Sequence, residues 1–392
     1  QEAVMRFIKK QNQFPLDSIL KPYLKIFFSF LIFCIALTSS GCTRLYFGPN
    51  NVPKFSTTQP NQLGPTVSVW EDGLRTSGDR NEFEWWYLDA KLDDGSVLVT
   101  YFWKVHFIGD QYFIGFNYRD KDGNDFFKLK YFRSKDVSFS SDSCDVVYGN
   151  NSFKGNLQNY TIKIDPDDFD GIGINLNLKS TLKPYRPQDG IIKAGDDYFA
   201  WLSAVPNGVV SGDLIVNGEK TRLSGSGYHD HNWGNTPLQY LFDNWVWFRG
   251  EIEDKTIVAA VLYMTDKRGG YDVPILYIAD SSKVHVNKFG EDGLYTRKST
   301  RITDLYNKHN EPLFRELDMI TEDGFKVNII GHSVIDNSNL FKRGRMPYPI
   351  RLAMGAAKID PFYTRFDSEM SLSVEGETPK TGFGVFEIMD LK

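Results

Sequence analysis

The chain reads as an all-β protein of antiparallel sheet arranged in two related domains, and three observations carry that reading. Apolar residues recur with period two along much of its length, short Gly- and Asn-bearing turns separate the runs, and one aromatic strand pattern occurs twice. With 392 residues, 41% hydrophobic and 15% aromatic, the chain is large enough for one large or two medium domains with substantial cores.

From the N-terminus, the first segment is not part of that pattern. Ile26 to Leu37 is a short, mostly Ile, Leu and Phe stretch preceded by Arg6, Lys9, Lys10, Lys21 and Lys25, which predicts a signal peptide and is short for a membrane span. Because the chain opens on Gln, Met5 is a candidate start, which the sequence leaves open. Leu37-Thr38-Ser39-Ser40-Gly41-Cys42 resembles the lipobox at which bacterial signal peptidase cuts before a diacylated cysteine, although Ser39 stands where Leu is commoner. The expectation is an exported bacterial lipoprotein anchored through Cys42, with ordinary cleavage or an uncleaved anchor as the alternatives. Residues 1–41 are then the signal peptide, and 42–66, with Gly48-Pro49-Asn50-Asn51 and Gln59-Pro60-Asn61-Gln62, a tether from membrane to fold. Of the three cysteines, Cys34 and Cys42 lie in or beside the apolar stretch and Cys144 has no evident partner, so no disulfide framework is implied.

Beyond the tether the strands are legible. Ile172, Ile174, Leu176 and Leu178 alternate with Gly173, Asn175, Asn177 and Lys179, the pattern of a half-buried strand. Val97 to Phe107 alternates too, but both faces carry bulk, as when a strand separates a core from a lined cavity. Asp93-Asp94-Gly95, Asp122-Gly123-Asn124, Asn207-Gly208, Asn217-Gly218 and Glu322-Asp323-Gly324 predict hairpin turns, and successive hairpins make antiparallel sheet. Asp165-Pro166-Asp167-Asp168-Phe169-Asp170-Gly171 is acidic but misses the order of a calcium loop, so it reads as a turn. Only Ile350 to Ala357 suggests a short helix.

Trp85-Trp86-Tyr87 opens a strand that meets an acidic turn and a second apolar strand, and Trp245-Val246-Trp247-Phe248 does the same before Glu253-Asp254-Lys255. Two related β-domains, 67–234 and 235–392, account for the echo; chance likeness between aromatic hairpins is the alternative. The acidic excess of the whole chain, a net −5, grows once the five basic residues of the first 41 are set aside, and no dense Lys/Arg run follows Cys42. A phosphate-tracking surface is excluded, so no nucleic-acid partner is expected.

One segment concentrates chemistry. Gly227-Tyr228-His229-Asp230-His231-Asn232-Trp233-Gly234 places two imidazoles, a carboxylate, an amide, a phenol and an indole between two glycines, which permit unusual torsions or close approaches. If extended, it puts His229, His231 and Trp233 on one face and Tyr228, Asp230 and Asn232 on the other, one face chemical and one structural; a bend would relax this. It lies at the join of the two domains, where ligand pockets commonly form. A polar inter-strand corner is the alternative.

Glu84-Trp85-Trp86-Tyr87, the Gly227-to-Gly234 segment, Tyr363-Thr364-Arg365-Phe366 and Gly382-Phe383-Gly384-Val385-Phe386-Glu387-Ile388-Met389 occur in this order, and in this the chain resembles the hydroxyneurosporene synthase family from about Phe83 to Asp390. That group includes carotenoid 1,2-hydratases, AttH-type secreted proteins and, more distantly, fungal enzymes guiding intramolecular Diels-Alder cyclisation. The resemblance implies two lipocalin-like antiparallel β-barrel domains packed side by side.

Hydrating an alkene requires a proton donor beside an apolar double bond, stabilisation of the cation and a base-oriented water. His229, Asp230 and His231 are candidate acids and bases, with His229 and Asp230 favoured for proton transfer and Tyr228 and Asn232 for orienting substrate or water. Glu84, Trp85, Trp86, Tyr87, His106, Trp233, Trp245 and Trp247 are candidate ligand-binding residues; the aromatic ones suit a polyene, an isoprenoid or a carbocation, and each is equally an ordinary core residue. No cofactor fingerprint occurs. Two alternatives stay open: a carrier that merely holds a hydrophobic ligand, and a zinc hydrolase gripping an ion with His229 and His231 plus a third ligand such as His106, His332 or Glu84. The chain lacks both the Gly-x-Ser-x-Gly elbow of serine hydrolases and the His-Glu-x-x-His signature.

Overall fold

The structure is a computed structural model that describes residues 66–391, apart from 107–108, 188–189, 291–292, 300–305, 307–312, 345–347, 349–350, 353–354 and 356–359. The predicted signal peptide, nearly all of the predicted tether, and Cys42, the expected point of lipid attachment, lie outside the described residues, as does most of the expected helix 350–357, of which Arg351, Leu352 and Gly355 are helical. No helix among the described residues is long and apolar enough to cross a membrane.

All the large elements are strands. In the first sheet, β1 (Phe83–Leu92), β2 (Val97–His106), β3 (Asp110–Arg119) and β4 (Asp125–Phe132) form a meander, and β5 (Val137–Phe139), β6 (Cys144–Tyr148), β7 (Asn151–Gly155), β8 (Asn159–Ile164) and β9 (Ile172–Ser180) form a second. After the short β10 (Ile191–Ala194), β11 (Asp197–Val216) and β12 (Glu219–Gly234) make a long hairpin that joins the two meanders, β12 pairing with β1 and β11 with β9. The second sheet consists of β13 (Phe242–Ile252), β14 (Lys255–Met264), β15 (Asp272–Ala279), β16 (Val284–Phe289), β17 (Leu294–Ser299), β18 (Glu316–Thr321), β19 (Phe325–Asn339), β20 (Phe362–Val374) and β21 (Lys380–Asp390). Its order is β16-β15-β14-β13-β21-β20-β19-β18-β17. Every pairing is antiparallel. In each sheet the two edge strands, β4 and β5 or β16 and β17, follow one another in the chain, so each sheet curls into a nearly closed barrel. The echo between Trp85-Trp86-Tyr87 and Trp245–Phe248 has a topological counterpart: β1 and β13 each open a four-stranded meander and each pair with the last strand of their own barrel.

Turn chemistry explains most of the register. Gly95, Gly123, Gly218 and Gly324 have positive φ at their predicted hairpins, and Asn217 precedes Gly218 at φ 50°, the pairing a two-residue turn demands. Asn207-Gly208 differs: it lies inside β11, where the register against β12 shifts between Val205 and Gly208. A β-carbon at Gly208 would stand 2.7 Å from the Lys179 carbonyl oxygen, so this glycine admits a neighbouring strand at a bulge rather than turning the chain. The acidic stretch after β8 is the predicted turn, with Asp165 accepting from the Asp167 amide at 3.1 Å.

Three apolar clusters follow from strand alternation. Trp86, Leu88, Phe102, Leu202 and Trp233 belong to the first barrel's interior, and Val246, Phe248, Ile257, Phe366 and Phe386 to the second's. The third lies between the barrels and takes the alternate residues of the same strands, including Trp85, Tyr228, Trp247, Val258 and Ala260. β1 and β14 are therefore apolar on both faces because each separates an interior from the inter-barrel layer.

Candidate functional site

The Gly227-to-Gly234 segment is the extended end of β12, paired with β1 on one side and β11 on the other. Its glycines serve close packing. A β-carbon at Gly227 would lie 2.5 Å from Val210 Cγ2, and one at Gly234 2.6 Å from the Tyr198 carbonyl oxygen. With no bend, consecutive side chains alternate between the first barrel's interior and the join.

On the interior face, His229 and His231 are fully buried and fastened to the segment that precedes β1. A turn at Val69–Asp72 brings Asp72 into the barrel, where its Oδ2 lies 3.2 Å from His229 Nε2 and accepts from the Tyr160 hydroxyl at 2.5 Å. His229 Nδ1 faces the Tyr87 carbonyl oxygen at 2.8 Å. His231 Nε2 lies 2.8 Å from Glu84 Oε1 and its Nδ1 3.2 Å from the Glu71 carbonyl oxygen, while its ring stacks on Trp86 at 4.6 Å. Glu84 also accepts from the Arg75 and Thr76 amides and the Thr76 hydroxyl, at 2.7, 3.1 and 2.6 Å. Burial alone would raise the Glu84 carboxyl, but His231, through hydrogen bond and charge, together with Lys104 and Thr76, holds it below the usual range. All four ring nitrogens thus meet oxygens, and this face ties the preceding segment into the barrel.

On the other face, Asp230 is buried at the join. Its Oδ2 accepts from the Tyr228 hydroxyl at 2.9 Å and Trp201 Nε1 at 3.1 Å, and its Oδ1 from Asn232 Nδ2 at 2.7 Å. Burial pushes its carboxyl up to about 7, against the partial opposition of these donors and of His229. The surroundings are aromatic: Trp247 lies 5.1 Å from Tyr228 and 6.4 Å from Tyr87, and Tyr185 stacks on Tyr277 at 4.1 Å. Tyr87 and Asp89 of β1 stand directly opposite Asp230 and Tyr228 in register.

The second barrel answers with charge. Arg249 Nη2 donates to Asp89 Oδ1 at 2.5 Å; Arg365 Nη2 lies 3.8 Å from Asp89 Oδ2 and its Nε 3.3 Å from Glu387 Oε1. All four side chains are buried. Burial raises the Glu387 carboxyl, opposed by Arg365 and a hydrogen bond from Tyr363.

The expected site residues therefore divide. Tyr228, Asp230, Asn232, Trp85, Tyr87, Trp245 and Trp247 lie at the join, whereas His229, His231, Glu84, Trp86 and Trp233 face the first barrel's interior. His229 and Asp230, favoured together for proton transfer, do not share a site, because neighbours on an extended strand point to opposite faces. His106 is at the end of β2, paired with Asp110 at 2.8 Å, and His332 faces Glu369 on the second barrel at 3.4 Å, so neither joins the His-x-His pair. The donor set nearest a metal site is instead Asp72, Cys144 and His229, with ligand atoms within 4.8 Å of one another. Asp72 Oδ2 and His229 already have hydrogen-bond partners, and burial together with the Asp72 charge raises the Cys144 thiol well above its ordinary range, away from the thiolate a metal takes. Sequence reasoning missed Asp72, Trp201, Asp89 and Arg249; Arg365 and Glu387 sit in two of the quoted motifs, yet no role followed from them.

Fold and site together define a protein of two antiparallel barrels with an aromatic, ionisable layer between them. No protein-family model matches the chain. It is 20% identical over 366 residues to a hydroxyneurosporene dehydrogenase of Chlorobaculum tepidum, spanning 83% of this chain and 87% of that protein. Among solved structures, an AttH-type protein of Nitrosomonas europaea aligns over 84% of this chain and 98% of its own, at a TM-score of 0.56 and 13% identity. Kievitone hydratase from Nectria haematococca aligns over 84% and 94%, at 0.56 and 14%. The chain has the AttH-like fold and is distantly homologous to the hydroxyneurosporene dehydrogenase.

Proposed function

We propose that the protein binds a small, unsaturated hydrophobic molecule between its barrels and acts on it by acid-base chemistry, with Asp230 as the proton-transferring residue. One observation carries this reading: a buried carboxyl, oriented by three donors within an aromatic layer and pushed up by burial to about 7. A general acid works best when its titration point matches the ambient pH, because both forms are then populated. For a hydration, the Asp230 proton goes to one alkene carbon, water adds to the cation so formed, and the water's proton returns to Asp230. Tyr228 and Trp247 offer ring faces to such a cation, worth about 0.5 to 2 kcal/mol each. An isomerisation or cyclisation draws on the same group. One similar structure is named a kievitone hydratase, and a hydration is among the reactions this reading allows.

The test is organic extraction and mass spectrometry of the full chain and of Asp230→Asn, each purified from the native host. The reading expects an unsaturated hydrophobic molecule in both, with the variant accumulating the unconverted form. The same molecule in both at the same ratio identifies a carrier; none in either overturns the reading. We further propose export and a membrane tether through Cys42, on the lipobox-like segment alone. Cys42→Ser should then release the protein from the membrane fraction, and unchanged partitioning refutes the anchor.

A further inference from the structure

We propose that Tyr87, Trp247, Arg249 and Arg365 form a subsite for an acidic oxygen, a carboxylate or enolate, carried by the ligand whose apolar part lies toward Asp230. The inference rests on the reading of the join as a ligand site and adds the chemical class of the ligand's polar end.

The argument is one of unmet donors. The Tyr87 hydroxyl, Trp247 Nε1 and Arg249 Nε are buried and have no hydrogen-bond partner among the described residues. Arg249 donates to Asp89 through Nη2, and Arg365 reaches Asp89 and Glu387 only at 3.8 and 3.3 Å, longer than good charge-assisted bonds. A buried donor left unmade keeps its desolvation cost, which an incoming acceptor removes. These donors are contiguous. Tyr87 and Trp247 rings are 6.4 Å apart, Trp247 lies 5.1 Å from Tyr228, and the Arg249 guanidinium carbon is 6.0 Å from the Tyr228 ring.

Charge points the same way. Two guanidinium groups face the Asp89 and Glu387 carboxyls, and burial raises the Glu387 carboxyl against the opposition of Arg365. Guanidinium groups with several free N–H directions suit carboxylate geometry. Asp230 accepts from its own three neighbours and is not part of this set.

The experiment measures binding of all-trans-retinoate and of its methyl ester to the full chain by tryptophan fluorescence quenching. The acid should bind at least tenfold more tightly than the ester. Tyr87→Phe, which removes a hydroxyl without a protein partner, should cut that ratio severalfold with an unchanged melting temperature, and Arg249→Lys, which keeps a charge for Asp89, should cut it further. A ratio near one overturns the subsite while leaving the apolar site standing; a ratio kept in both variants overturns it as well; binding of neither compound overturns both.

Discussion

His229 and Asp230 are neighbours in the chain and face opposite sides of β12, the imidazole toward Asp72 in the first barrel and the carboxyl toward Trp201 and Tyr228 at the join. One eight-residue motif therefore does two jobs, and substitutions in it should separate by parity. Odd-numbered side chains from His229 hold the barrel together. Even-numbered ones from Tyr228 present the site.

The His231–Glu84 pair is fully buried, so removing one partner leaves the other without compensation. Glu84→Gln or His231→Ala should cost about 3 to 5 kcal/mol in denaturant unfolding. The Glu84 carboxyl is held below its unfolded value, so its contribution is present above about pH 4.3 and is lost as pH falls through the lower folded value. The wild type should lose stability on acidification more steeply than Glu84→Gln; parallel profiles would mean that the pair adds nothing.

Asp230 works in the reverse sense. Its folded value of about 7 exceeds the unfolded value near 3.9, so between those limits the native state holds a proton that the unfolded chain has released, and stability falls as pH rises from about 4 to 7. Melting temperature against pH should show this slope in the wild type and lose it in Asp230→Asn. As a general acid, Asp230 should also give a kcat/KM that declines above pH 7 on whatever substrate extraction identifies.

Tyr228→Phe removes one of three donors to the Asp230 carboxylate. With the charged form less well solvated, the carboxyl should titrate higher than in the wild type, which carboxyl-carbon NMR of labelled aspartate reads directly. A downward or absent shift would show that the phenol does not orient this group.

Gly234 stands where a β-carbon would meet the Tyr198 carbonyl oxygen at 2.6 Å and the Phe83 ring at 2.6 Å. Gly234→Ala should destabilise by about 1 to 3 kcal/mol through forced displacement of backbone. An unchanged unfolding midpoint would show that β11 and β12 can part at no cost.

How far the residues alone led can be told from particular strands. Ile172 to Lys179 announced β9, since one face of that strand meets a core and the other meets water, and alternation then shows in the residue types. Asn217-Gly218 announced its hairpin because few other pairs tolerate both left-handed torsions. Asn207-Gly208 carried the same letters but lies in a bulge, where the approach of Lys179 decides; that contact joins residues of different strands and leaves no local mark.

The site divides in the same way. Sequence by itself determined the antiparallel all-β class, the alternation of His229, Asp230 and His231 across a strand, and the density of chemistry at one segment, because these depend on residue type and spacing within a few positions. Tertiary structure alone decided what each face meets. Asp72 is 157 positions from His229, and Arg249 is 160 from Asp89. Partners so distant are chosen by how strands pair and barrels pack. That choice made the histidines structural and left the aspartate at the join.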